Sequence, residues 1–110
     1  MNDARYMFEI LKCLDARGGK AIVKNVYDDV RNVCRAELTA ADLADLFSGE
    51  ERFTNKIRQI RRTMIEYGLM EPMEILGEWQ IAELGRKYLK SYPRVKLGPG
   101  GTISWTEEII

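Results

Sequence analysis

The sequence predicts an α+β domain that is mostly helical. Apolar residues recur every three or four positions in several segments, which is the period of an amphipathic helix. Two short apolar runs flank Gly77 and are typical of a β-hairpin. The order helix, hairpin, helix over residues 53–89 is the order in which a winged helix-turn-helix ends. Because 110 residues suit one domain, we expect a single winged helix-turn-helix with four to five helices and a wing of two to three strands.

The first two helices are predicted from their apolar spacing. Helix one should run over 5–16 and end at Gly18-Gly19. Helix two should run from about 24 to 34, where β-branched residues lower helix propensity and tertiary packing must compensate. The apolar triplet 21–23 is either a brief strand that pairs with the later hairpin or the start of helix two.

A short apolar helix is predicted next. Thr39 is a typical N-cap residue, and Leu43 and Leu46 follow it at helical spacing. Ser48-Gly49 should end this helix.

The wing and the last helix complete the domain. A basic helix over 51–67 should stop at Gly68 and lead into a strand at 69–70, where Pro72 suggests an edge or a bulge. The returning strand is expected at 79–81. The last helix is expected over 82–90, with the following residues facing inward: Leu84, Tyr88 and Leu89.

The tail is predicted to form a second hairpin. Strand-like pieces at 95–97 and 103–105 flank the Gly98-Pro99-Gly100-Gly101 turn. We therefore divide the chain into a winged-helix domain (1–90) and a C-terminal extension (91–110) that forms a hairpin or a dimerisation arm.

The basic helix has two distinct faces. At 100° per residue, an apolar stripe falls within about 40° of one line and should face the core; it comprises Phe53, Ile57, Ile60, Met64 and Tyr67. The opposite face is rich in Arg, Asn and Gln, the side chains that bind guanine and adenine edges in the major groove. Lys56 and Arg61 flank the stripe, where they would reach phosphates. The candidate DNA-binding residues are Arg52, Asn55, Lys56, Arg58, Gln59, Arg61 and Arg62. A solvated face that binds nothing is the alternative.

The composition of the chain excludes several classes of function. The net charge is zero, but residues 51–70 carry five basic and two acidic residues, so one positive face remains available. Without histidine, imidazole-based zinc sites and Ser-His or Cys-His catalysis are excluded. The turn at 98–101 lacks the Lys and Ser/Thr of a phosphate-binding loop. We expect no enzyme activity, no catalytic or metal site and no cofactor, and we expect Cys13 and Cys34 to be buried free thiols.

No apolar run is long enough for a membrane span, and charges interrupt the N-terminal apolar stretch, unlike a signal peptide. We therefore expect a cytoplasmic protein with no membrane partner.

From residue 52 to 89 the chain resembles the N-terminal winged-helix domain of Mrr-type restriction endonucleases. The shared features are the aromatic start and basic body of the helix (53–58), the Tyr67-Gly68-Leu69 close, Gly77 followed by Trp79, and Gly85-Arg86 in the last helix. The resemblance implies the DNA-binding part of such an endonuclease without its nuclease domain. Two departures are Ala82, where the family has a Thr cap, and an acidic wing that contains Glu71, Glu74 and Glu78.

The sequence thus predicts a stand-alone DNA-binding winged-helix protein of the transcription-regulator kind, reading the major groove of double-stranded DNA with helix 51–67. Because one small domain makes few base contacts, we expect a homodimer. The alternative is a protein-interaction winged helix, an adaptor or an inhibitor, that does not bind DNA.

Overall fold

A computed structural model describes residues 1–46, 49–72 and 77–105. The chain has an α+β, mostly helical, winged-helix-like fold. Its described α-helices are α1 (Asp3–Ala16), α2 (Val23–Val33), α3 (Arg52–Glu66) and α4 (Glu83–Ser91). Its strands are β1 (Lys20–Ile22), β2 (Met70–Glu71), β3 (Glu78–Ile81), β4 (Lys96–Leu97) and β5 (Ile103–Ser104). Short 3₁₀ turns occupy Arg35–Glu37 and Pro99–Gly101.

The wing sheet has three antiparallel strands in the order β1-β3-β2. Lys20 pairs with Gln80 and Met70 pairs with Ile81, so β3 lies in the centre. Both alternatives for the 21–23 triplet are therefore realised, because Ala21 and Ile22 belong to β1 while Val23 begins α2. β2 is an edge strand, which explains how Pro72 is tolerated directly after it.

The helices pack around one apolar core. The inward side of α1 contributes Tyr6, Ile10, Leu11 and Leu14, all of which are buried. α1 packs against α2, α3, α4 and β3, so it is the central helix of the domain. Trp79 of β3 is 2% exposed and closes the core where the sheet meets the helices.

The predicted helix between Thr39 and Ser48 is wrong over the described part of that segment. Residues 40–43 form a turn in which the Thr39 hydroxyl accepts the Asp42 N–H and the Asp42 carboxylate accepts the Thr39 N–H. The turn does not extend because its carbonyl groups serve α3: Asp42 O accepts the Phe53 N–H at 2.8 Å, and Ala44 O accepts the Arg52 N–H at 2.9 Å. These are two N–H groups that a helix start leaves without intrahelical partners. The end of the predicted helix, at 47–48, lies outside the described residues.

The predicted inward face of α4 needs one correction. Tyr88 is buried and Leu89 packs partly against the core, but Leu84 is 41% exposed. Gly85 lies inward instead, where a side chain would collide with the Leu69 carbonyl oxygen. α4 is therefore oriented so that its closest approach to Leu69 is at Gly85, which has no side chain.

The C-terminal extension forms the expected hairpin within the described residues. β4 and β5 pair through Lys96–Ser104 and Leu97–Ile103. The hairpin folds back on the domain: the Tyr67 hydroxyl donates to Gly98 O at 2.5 Å, and Lys87 Nζ lies 4.4 Å from the centre of the Trp105 ring.

Candidate nucleic-acid interface

The orientation of α3 is set by its apolar stripe. Phe53, Ile57, Ile60 and Met64 are each at most 3% exposed, and Tyr67 is half-buried. Phe53 is additionally covered by the Arg31 guanidinium, whose carbon lies 5.1 Å from the ring centre. Because the stripe is buried, the opposite side of α3 faces outward.

Four of the seven candidate DNA-binding residues are exposed on α3: Arg52, Arg58, Gln59 and Arg62. Within residues 1–46, 49–72 and 77–105, Arg52 and Arg62 make no ion pair with a carboxylate. Their guanidinium groups therefore remain available to an incoming acceptor, either a base edge or a phosphate.

A carboxylate from the preceding loop organises the middle of this face. Glu50 accepts a hydrogen bond from Arg58 Nη2 at 2.6 Å and a longer one from Asn55 Nδ2 at 3.4 Å. Gln59 Nε2 in turn donates to Asn55 Oδ1 at 2.7 Å. The three polar side chains thus form one connected network, which holds Arg58 in place and partly neutralises its charge.

The Lys56 side chain points toward the start of α1. Its ammonium group lies 3.0 Å from Asp3 Oδ1, and both side chains are largely exposed. Such an exposed pair contributes little to stability.

Arg61 is placed differently from the other six. Its guanidinium lies over the Trp79 ring, 5.2 Å from the centre, and its Nε and Nη2 atoms are buried without a hydrogen-bond acceptor among the described residues. Burial lowers the pKa of this guanidinium. Its predicted position beside the apolar stripe is confirmed, but the group packs on an aromatic ring instead of extending into solvent.

A cleft of about 190 Å³ joins α3 to α2 and β3. It is lined by Val23, Tyr27, Arg58, Arg61, Arg62 and Trp79. Burial raises the pKa of Tyr27, while the positive charges of Arg58 and Arg61 oppose that shift. Tyr27 and Trp79 meet edge to face, with ring centres 6.1 Å apart.

Sequence reasoning missed Tyr27 and Trp79 as site residues because both fit a packing role. Tyr27 belongs to the apolar repeat of α2, and Trp79 belongs to the returning strand. The sequence signal for a site role was that each of two elements expected near the basic helix carries an aromatic residue. That signal is weak on its own.

The wing remains acidic where it is described. Glu71 is exposed at the edge strand, Glu78 is half-buried, and Gly77 makes the turn with a φ of +85°. Glu74, the third predicted wing carboxylate, lies outside the described residues.

Among the described residues there is no cluster of three or more His, Cys, Asp or Glu side chains that could hold a metal ion. No described helix has the length and apolarity needed to cross a membrane.

Comparison with known proteins identifies the family. Neither the curated proteins nor the solved structures give a significant match to this chain. The family model for the Mrr N-terminal domain, however, matches residues 4–91, which include α1 apart from its first residue, the helices α2, α3 and α4, and the three-stranded sheet. The chain therefore belongs to the Mrr N-terminal domain family.

Proposed function

We propose that this chain binds double-stranded DNA by placing α3 in the major groove, and that it regulates transcription through that binding. The observation that supports the proposal is the outward face of α3, on which Arg52, Arg58, Gln59 and Arg62 are exposed while the apolar stripe holds the helix on the core. Arginine and glutamine are suited to bidentate contacts with base edges. The proposal assigns the chain a binding role without catalysis.

The charge distribution supports binding through one local face of the protein, and not a general attraction of the whole chain to nucleic acid. The chain is neutral overall, so the basic residues of α3 must supply the attraction. Contacts to phosphates release counterions, and binding through this face should therefore weaken steeply as salt increases.

The test is a salt series of binding to pooled random duplexes, followed by selection of the bound sequences. The double variant Arg58→Ala/Arg62→Ala should lose about tenfold or more in affinity per arginine, since a good base contact contributes about 1–3 kcal/mol. The matched control is Lys90→Ala/Lys96→Ala, which removes the same charge from exposed positions on α4 and β4. Full binding by the arginine variant would overturn the proposal.

A second candidate function is a protein-interaction winged helix that does not bind DNA, acting as an adaptor or an inhibitor. It is favoured by the Glu50–Arg58 ion pair at 2.6 Å and by the exposed carboxylate of Glu71 on the wing, both of which oppose a phosphate backbone. The same salt series separates the two, because the second function predicts no salt-dependent retention on DNA.

We also propose that the protein acts as a homodimer, which would double the DNA footprint. The two surfaces expected to form the dimer contact are α1 and the C-terminal extension. Both place much of their apolar surface inside the domain: Ile10, Leu11 and Leu14 of α1 are fully buried, and Val95 is 6% exposed. We propose that the contact uses exposed apolar residues beside α1, such as Val33, which is 59% exposed at the end of α2 and lines one cleft with Lys12 of α1.

A further inference from the structure

Two residues that line the cleft between α2, α3 and β3 carry buried donors without acceptors. Arg61 Nε, Arg61 Nη2 and Trp79 Nε1 are all buried, and none has a hydrogen-bond partner among the described residues. A buried charged donor that lacks an acceptor loses its hydration and gains little in return. The contact of the Arg61 guanidinium with the Trp79 ring offsets part of this cost but provides an acceptor for none of the three nitrogen donors.

The same cleft concentrates positive charge. Arg58, Arg61 and Arg62 all line it, and they are joined there by Tyr27, whose hydroxyl can donate or accept. Glu50 is the carboxylate bound to Arg58, and neither Arg61 nor Arg62 is paired with a carboxylate in the described part of the chain. The cleft therefore combines positive charge, unpaired donors in its walls and a volume of about 190 Å³, which are features that an anion requires.

We propose that this cleft binds a phosphate group, with Arg61 as the principal donor, Arg62 as the second and the Trp79 ring as the wall that holds Arg61 in place. A phosphate monoester carries up to nearly two negative charges and the diester of a DNA backbone carries one, and the free oxygens of either group suit guanidinium groups that line one cleft. A DNA backbone and a free phosphate ester both carry this group. In the first case the inference rests on the proposed function and adds a backbone anchor beside the recognition helix; in the second it stands alone.

The first experiment tests the site without DNA. In a Trp105→Phe background Trp79 is the single tryptophan, since the chain has two. Inorganic phosphate is titrated at constant ionic strength while the fluorescence of Trp79 and the NMR signals of the arginine Nε–H groups are followed, with acetate as the comparison anion. We expect a saturable change, with the largest NMR shift at Arg61, and weaker saturation by acetate.

Variants assign the effect to the cleft. Arg61→Gln should weaken phosphate binding by about tenfold or more, because it removes a charge-assisted contact. Arg62→Gln, at an exposed position where folding is not at issue, should weaken it by a smaller factor. Lys90→Gln removes an exposed cation of α4 that does not line the cleft, and it should bind phosphate as the parent does. Thermal melting checks that each variant is folded.

The second experiment identifies the source of the phosphate. If it is the DNA backbone, Arg61→Gln should reduce the magnitude of the slope of log affinity against log salt by about one, and inorganic phosphate should compete with the duplex. If it is a free ester, phosphate binding depends on Arg61 while the DNA slope stays unchanged.

The two proposals fail separately. Absence of DNA retention with intact phosphate binding removes the proposed function and leaves the site. If Arg61→Gln changes neither phosphate binding nor the slope of DNA affinity against salt, the phosphate site is overturned. This holds whether or not the chain binds DNA.

Discussion

Gly85 of α4 lies so close to the carbonyl oxygen of Leu69 that a Cβ atom at position 85 would stand 2.2 Å from that oxygen. The same oxygen accepts the backbone N–H of Ala82 at 3.0 Å. Since Leu69 lies between α3 and β2, this backbone contact joins the end of the candidate recognition helix to the start of α4. It also accounts for the outward position of Leu84.

The first prediction concerns this contact. Gly85→Ala should lower the free energy of unfolding by about 3 kcal/mol, because the methyl group can be accommodated only if α4 moves away from Leu69. Urea denaturation measures the change. Lys90→Ala, at an exposed position of the same helix, should alter stability by no more than about 0.5 kcal/mol. Equal stability of the Gly85 variant and the parent would show that the two backbones do not need to approach so closely.

The second prediction concerns Glu50. Its carboxylate pairs with Arg58 at 2.6 Å and therefore competes with any phosphate or base for that side chain. Glu50→Gln should raise DNA affinity about three- to fivefold at low salt, a change within the range of exposed ion pairs. The control is Glu83→Gln, which neutralises an exposed carboxylate on α4. A loss of affinity would instead mean that Glu50 holds Arg58 in its binding position.

The third prediction concerns alkaline pH. Burial raises the pKa of Tyr88 from 10.0 to about 12. The folded protein thus favours the neutral phenol, so the associated stability is complete below pH 10 and is lost as pH rises from 10 toward 12. Tyr88→Phe should show a shallower loss of stability over this range. It should also be less stable at neutral pH, because the hydroxyl donates to Ala4 O at 3.1 Å. Unfolding free energies at pH 7 and pH 10.5 test both statements; identical pH profiles would refute the first.

The fourth prediction concerns the thiols. Burial and the neighbouring Asp29 carboxylate raise the pKa of Cys13 to about 12, and its Sγ lies 3.0 Å from Asp29 Oδ2. Because the thiolate is the reactive species, the native protein should resist alkylation at pH 8 and should react at both cysteines in denaturant. Lys90→Cys places a thiol at an exposed position of α4 and should react rapidly in the native state. Fast modification of Cys13 in the folded parent would contradict the buried environment.

The fifth prediction concerns assembly. Light scattering should give a mass of two chains at high protein concentration if the protein is a homodimer as proposed. Val33→Asp, which puts a charge on the exposed apolar end of α2, should shift the mass toward one chain. A parent protein that stays at the mass of one chain at high concentration would retire the dimer.

Much of the fold was predictable because its signals are local. Helical periodicity located α1, α2, α3 and α4 to within about two residues, since an amphipathic stripe is written directly in the spacing of apolar side chains. The hairpins at Gly77 and at 98–101 followed from turn residues between strand-like runs. The division of α3 into an apolar and a polar face followed in the same way, as the burial of Phe53, Ile57 and Met64 confirms.

The segment after Thr39 illustrates what local signals miss. Its cap and leucines favour a helix, and the reciprocal Thr39–Asp42 hydrogen bonds do form. Yet Asp42 O and Ala44 O are bound by the first N–H groups of α3, a competition that no local pattern reveals.

By itself, the sequence determined the order of the elements and the side of α3 that turns outward, because both depend on spacing along one chain. Only the tertiary structure decided which groups each arginine meets. Arg58 is held by Glu50, whereas Arg61 lies over Trp79 with its Nε and Nη2 buried. Seven polar residues of one helix thus acquire different environments, since electrostatics and burial are set by neighbours that are distant in sequence.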